Sequence, residues 1–179
     1  SGAADAASSS SICVQAFVTP SVCRSAGILA NVNGATNVVQ IQSASLGTSH
    51  LLGAGAGRFP TANSVVADMM ALKNGTVTAR AFPIPCNQSL TFDRDYTARF
   101  YVRLNVCDQT GIIMSAGAIC QKHNISIHAV LQNPITDPTN VPFVITTESC
   151  RRSQVAAFCD DAVKESWCLE RPLVMPLMD

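Results

Sequence analysis

Apolar and polar positions begin to form a pattern at Ile12. In ICVQAFVTP the apolar residues largely alternate until a proline stops the run, which predicts a strand. Asn33-Gly34 is a turn signal ahead of the β-branched run TNVVQIQ, a second strand, and TSHLL then leads into a glycine-rich stretch. After the glycines, Pro60 suits a first helical turn and Thr61 offers a capping oxygen. Val65, Val66, Met69, Met70 and Leu72 fall on one broad helical face, and Asn74-Gly75 is a stop. Residues 76–97 carry prolines and polar interruptions without a sustained period, as a connector would.

Regular patterning then resumes. RFYVRLNVC reads as a strand, GIIMSAGAICQKH as a helix and ISIHAVLQ as an alternating strand. NPITDPTN is a loop and VPFVITTE a strand. SCRRSQVAAFCDDAVKES reads as a helix opened by Ser149, and RPLVMPL as a last strand. The order β-α-β-β-α-β within about eighty residues predicts an α+β chain with a ferredoxin-like unit. In such a unit two helices cover one sheet face and the other is free for a partner.

Composition narrows the function classes. Twelve basic residues balance twelve acidic ones, and the basic residues are scattered apart from the pair Arg151-Arg152. No charge footprint therefore favours nucleic acid or an anionic membrane. No stretch approaches the ~18 unbroken apolar residues of a membrane span. The opening SGAADAASSSS has neither a cationic nor an apolar region, so it reads as a flexible lead-in over 1–11 rather than a signal peptide.

The eight cysteines, Cys13, Cys23, Cys86, Cys107, Cys120, Cys150, Cys159 and Cys168, are dispersed, with no C-x-x-C pair and no ligand-spaced histidine. Thiols buried in a reducing compartment is one reading and a disulfide-linked secreted domain the other. Met69, Met70 and Met114 are expected to fill a core. His123 and His128 flank one strand as solvated or interface residues, and His50 lies beside the glycine turn.

LLGAGAGRFPTANSVVADMM (51–70) is the most unusual stretch. It fails the dinucleotide fingerprint G-x-G-x-x-G because Arg58 stands where glycine is needed. It fails the P-loop because Thr61 and Ala62 replace its lysine and hydroxyl residues. Either a ligand approaches this Cβ-free backbone at a helix N-terminus, or the glycines let a helix pack closely on a sheet.

VTPS after a strand, LANVNGATNVV and GAGAGRFPTANSVVADM together resemble the last portion of the homoserine dehydrogenase catalytic region. YVRLNVCDQTGIIMSAGAICQKHNISIHAVLQ and VPFVITTE resemble the ACT regulatory domain that many of these enzymes carry at their C-terminus. The resemblance implies a catalytic and nucleotide-binding portion over 12–75, a linker over 76–97 and an ACT domain over 98–179. It implies NAD or NADP as cofactor of the parent enzyme, with Gly55, Gly57 and Thr61 near the nicotinamide and nothing bound tightly to this stretch alone. It further implies a homodimer or higher homo-oligomer through the ACT domain, and a small amino-acid effector such as threonine.

In the loop CDQTGII, Asp108 would receive an ammonium group and Gly111 would let a carboxylate reach backbone N–H groups, with Ile112 beside them. Asn124 and Ile125 would contribute from the neighbouring subunit. Asp108 as a helix cap and Gly111 as turn geometry is the competing reading.

Hydride transfer also needs a cofactor cradle and a proton relay. Lys73, Lys122 and Lys164 are the only lysines, and none matches the family's catalytic lysine motif. The expectation is therefore a C-terminal portion, inactive alone, of a cytoplasmic or organellar enzyme that interconverts homoserine and aspartate semialdehyde. A non-catalytic ACT-type sensor or dimerisation module is the alternative.

Overall fold

The computed structural model describes residues 12–76 and 89–178. The lead-in expected over 1–11 and most of the connector lie outside these residues. In chain order the elements are β1 (Ile12–Val14), β2 (Val22–Cys23), a 3-10 turn (Leu29–Asn31), β3 (Thr36–Ser43), β4 (Gly47–Ala54) and α1 (Arg58–Lys73). There follow β5 (Leu90–Phe92), β6 (Thr97–Val106), α2 (Ile112–Lys122), β7 (Ile127–Gln132) and β8 (Val141–Thr147). The last elements are β9 (Cys150–Arg151), α3 (Arg152–Ala162) and β10 (Leu173–Met178). The chain is α+β. It divides into two compact units, one over 24–87 and the other made of residues up to 23 together with those from 88 onward.

The larger unit is built on a sheet of order β10-β6-β8-β7 with antiparallel neighbours, and β2 runs parallel beside β10. Period-2 alternation decides which face is covered. Phe100, Val102, Leu104 and Val106 of β6 and Val141, Phe143 and Ile145 of β8 point into the core. The helices meet them with Ile112, Ala116, Ile119 and Cys120 from α2 and Val155, Phe158, Cys159 and Ala162 from α3. These residues recur at three- and four-residue intervals, which puts them on one helical stripe. Each large apolar side chain so buried stabilises the fold by about 1.5–3 kcal/mol.

Thr147 is the one polar residue fully enclosed among those described. Its hydroxyl accepts the Phe100 N–H at 3.0 Å and lies 3.6 Å from the Cys150 sulfur. Phe100 sits between the end of the β6–β8 ladder at Tyr101 and the β6–β9 pairing at Ala98, so the hydroxyl replaces a missing ladder bond.

Three local features depart from the sequence pattern. The strand expected over ICVQAFVTP is only three residues long. It pairs in parallel with β5, Ile12 opposite Leu90, and Phe17 beyond it stacks on Tyr96 with ring centroids 3.8 Å apart. β4 reaches through the first glycine of that stretch, Gly53, to Ala54, so TSHLL belongs to a hairpin with β3. α3 opens after Arg151 rather than at Ser149, because Cys150 and Arg151 pair with β6 and Asp95 supplies the capping oxygens from a distant loop.

The smaller unit contains the β3–β4 hairpin and α1, and none of its described residues is buried. Met69 and Met70 are 63% and 58% exposed and Met114, in the larger unit, is 78% exposed, which corrects the expectation that they fill a core. α1 has the anticipated apolar face, but nothing within the unit covers it. A hairpin and one helix supply too little mutual burial to enclose such a face.

Candidate functional site

The glycine turn follows β4. Gly55 donates its N–H to the Ala35 carbonyl at 3.1 Å, and a Cβ built there would collide with the Asn37 amide on the paired strand. The missing side chain at Gly55 thus has a local reason within the hairpin. Gly57 caps α1 with φ of 119°, a conformation that side-chain-bearing residues rarely adopt, and the nearest atom to a built Cβ is 3.5 Å away on Pro60.

Thr61 does not cap the helix with its hydroxyl. It stands four residues inside the boundary, and its backbone N–H donates to the Gly57 carbonyl at 3.1 Å. Pro60 occupies the first turn, where its lack of an N–H costs nothing. An exposed helix N-terminus with a Cβ-free cap suits a polar or anionic ligand group. His50 is bonded to Gln40 at 3.0 Å across the hairpin.

In the larger unit, Asp108, Gly111 and Ile112 line one cavity of about 440 Å³ together with Val106, Met114 and Phe143. Gly111 caps α2 in the left-handed region, φ 92°, and no side chain caps that helix. Asp108 is therefore not a cap. Its N–H donates to the Pro138 carbonyl at 2.7 Å, which pins the loop, while the residue itself is exposed. Ile112 forms the inner wall and belongs to the core.

Asn124 and Ile125 sit at the other end of α2, against an open groove of about 600 Å³ lined also by Gly117, Gln121, Ser126 and Ser149. The eleven residues of α2 separate the two places by about 16 Å. Asn124 is exposed with φ of 54°, whereas Ile125 is buried and donates its N–H to the Cys120 carbonyl at 2.9 Å. The structure thus brings Asp108, Gly111 and Ile112 together and keeps Asn124 and Ile125 apart from them within one chain.

Two charged clusters were not legible in the sequence. Asp161 on α3 receives Lys122 at 2.7 Å, His123 at 2.8 Å and Lys164 at 2.8 Å. The Lys122 hydrogen bond, then those of Lys164 and His123, hold its carboxyl far below the usual range. Arg151 does not simply face solvent. Its guanidinium lies 3.2 Å from Asp93 and 3.6 Å from Asp95. His128 pairs with Glu148 at 2.7 Å on the exposed side of β7. Apart from Lys164, three positions after Asp161, these partners are separated by 20 positions or more and leave no local signal.

The seven described cysteines are all unbonded. Burial pushes the Cys120 and Cys159 thiols up to about 11, while Cys13 and Cys107 are exposed. No helix among the described residues is long and apolar enough to cross a membrane.

Residues 3–70 match the homoserine dehydrogenase family model. The homoserine dehydrogenase of Neisseria gonorrhoeae is 28% identical over 176 residues, covering 93% of this chain and 40% of its own length. The Helicobacter pylori homoserine dehydrogenase is 26% identical, covering 93% and 39%. That of Lactococcus lactis is 31% identical, covering 84% and 36%. The chain thus spans about two fifths of the length of these relatives.

A solved homoserine dehydrogenase from Thiobacillus denitrificans superposes with a TM-score of 0.72 at 22% identity, over 89% of this chain and 38% of that one. A homoserine dehydrogenase of S. aureus gives 0.53 at 17% identity, over 89% and 37%. These structures share the fold. The sequence relationship to homoserine dehydrogenases runs through both units of the chain, and the chain belongs to the homoserine dehydrogenase family.

Proposed function

We propose that the chain acts as the C-terminal portion of an NAD(P)-dependent homoserine dehydrogenase of the cytoplasm, and that residues 98–179, within its larger unit, form an ACT-type regulatory module sensing a small amino acid, with threonine the first candidate. The observation that carries this reading is a sequence relationship to homoserine dehydrogenases over 93% of the chain. The strand order β10-β6-β8-β7, with two helices on one face, supports a ferredoxin-like module. In functional terms, 12–75 belongs to the dehydrogenase part, 76–97 is the connector and 98–179 the module.

The parent reaction interconverts homoserine and aspartate semialdehyde. NAD or NADP, when bound, exchanges the hydride. The residues present fit one border of such a cofactor. Gly57 leaves the turn open at the α1 N-terminus and Thr61 lies within that first turn, whereas Gly55 serves the hairpin through Asn37. No lysine of the catalytic motif stands in the chain, so its own residues carry no proton-relay step.

The effector site is completed by a second copy. Asp108 and Gly111 lie too far from Asn124 for one small amino acid to touch both within a chain. β7 is an edge strand with all six residues exposed, and Asn124 lies close to its start. Pairing of copies along such an edge would satisfy its free backbone groups. It would also set one copy's Asn124 turn near the other's cavity. The ammonium would face Asp108, and the carboxylate the first-turn amides behind Gly111.

Two assays test the proposal. The 179-residue chain is expected not to reduce NADP with homoserine, and turnover would contradict it. Sedimentation should show a dimer, and titration with threonine should give saturable heat. A monomer that ignores millimolar threonine would remove the regulatory reading.

A further inference from the structure

The turn between α2 and β7 is held by the end of α2 and also from outside, by α3. Asn124 is the one described non-glycine residue with positive φ, a conformation that costs an ordinary residue about 1–2 kcal/mol. Asn bears this conformation more easily than other side-chain-bearing residues. The end of α2 helps to hold it, the Asn124 N–H donating to the Gln121 carbonyl at 3.1 Å and the Ile125 N–H to the Cys120 carbonyl at 2.9 Å, while the Asn124 side chain stays exposed.

Gln154, in the first turn of α3, uses its whole side-chain amide here. Its Nε2 donates to the carbonyl of His123 at 2.9 Å and to that of Asn124 at 3.0 Å. Its Oε1 accepts the Arg151 N–H at 2.8 Å, which fixes the orientation of the amide. The far end of α3 takes a second hold, since His123 Nε2 lies 2.8 Å from the Asp161 carboxylate. The turn is therefore gripped at two points by one helix, with the Asn124 side chain left outward.

We propose that Gln154 is a positioning residue for the amino-acid site: it locks the His123–Asn124 backbone in the left-handed turn that presents Asn124 to the neighbouring copy. The proposal rests on the regulatory reading given above, and its geometry stands in the chain alone. Without the Gln154 amide the two carbonyls would turn to water and the turn would relax toward ordinary φ. An amide is required rather than any polar group, because both turn partners are acceptors and the Arg151 partner is a donor.

The test pairs amide exchange with ligand titration on the 179-residue chain, using Gln154→Glu and Gln154→Ala. Glutamate preserves size and can still accept from Arg151, but it sets a carboxylate against two carbonyls. Exchange at Asn124, Ile125 and Ser126 should accelerate roughly tenfold or more in both variants, with Phe100 and Val102 of β6 unchanged. Unchanged exchange in the turn overturns the proposal. Acceleration spread evenly over β6 also overturns it, since that marks a general structural role.

In the titration, threonine should bind both variants at least tenfold more weakly than the unaltered chain, and equal affinity overturns the proposal. If threonine does not bind the unaltered chain at all, the amino-acid reading falls, and the exchange result alone decides whether Gln154 holds the turn.

Discussion

Asp95 caps α3 through Ser153, a residue 58 positions further along the chain. Its carboxylate accepts the Ser153 backbone N–H at 2.7 Å and the Ser153 hydroxyl at 2.6 Å, so the first turn of α3 is fastened to the loop that leads into β6. The hydrogen bonds from the Ser153 hydroxyl and then its N–H hold the Asp95 carboxyl below the ordinary carboxylate value. Asp95→Ala should lower the thermal unfolding midpoint by several degrees, whereas Arg94→Ala next to it should not. Equal midpoints for the two variants would mean that the cap carries no stability.

The same logic predicts an acid limb. Asp93, Asp95 and Asp161 are all held below their unfolded values, Asp161 by hydrogen bonds from Lys122, Lys164 and His123. Groups of this kind contribute stability above the unfolded carboxylate pKa, and that stability is lost as pH falls through and below it. Thermal midpoints should be level from about pH 8 to 5 and fall below about pH 4. Asp95→Asn and Asp161→Asn should each make that fall shallower, and unaltered steepness would count against these pairs.

The two units should respond differently to truncation of large side chains. Phe158 is 2% exposed between α3 and the sheet, so Phe158→Ala should cost about 3–5 kcal/mol in denaturant unfolding. Met69 is mostly exposed on α1, and Met69→Ala in this chain should stay within about 0.5 kcal/mol. A large loss at Met69 would show that the α1 face is covered after all.

Thiol chemistry follows burial. Cys13 and Cys107 should react quickly with a disulfide reagent at pH 8. Cys120 and Cys159, pushed up to about 11 by burial, should react only once the chain is unfolded. Mapping labelled sites by mass spectrometry checks this, and early labelling of Cys159 would mean that α3 opens readily.

Much of this was written in local periodicity. α2, β6 and β8 lie where the apolar spacing puts them, because both helical stripe and strand alternation are consequences of a core on one side. β4 was obscured because His50-Leu51-Leu52 breaks alternation and the glycine stretch reads as loop, although Gly53 and Ala54 continue the ladder opposite Asn37 and Thr36. The start of α3 was displaced because its capping residue is remote, and no local reading finds an oxygen from Asp95. The apolar face of α1 was visible in the sequence, but periodicity says which residues seek cover and not what supplies it. Gln154 and Asp161 were overlooked as site residues for the same reason, since their partners lie about 30 and 38 positions away.

The glycines separate along similar lines. Gly57 and Gly111 are required by backbone conformation, at φ of 119° and 92°, whereas Gly55 is required by its neighbour Asn37. Gly111→Val should strain the start of α2 and close the approach to its first-turn amides, abolishing amino-acid binding while dimerisation survives. A dimer that still binds with unchanged affinity would refute the placement of the carboxylate at that turn.

The central claim is that residues 98–179 form an amino-acid-responsive module of a homoserine dehydrogenase, and calorimetric titration of the 179-residue chain with threonine tests it most directly. The account predicts saturable heat at millimolar ligand or below that disappears in Gly111→Val. A flat titration of the unaltered chain, with no thermal shift at the same threonine concentrations, would contradict it.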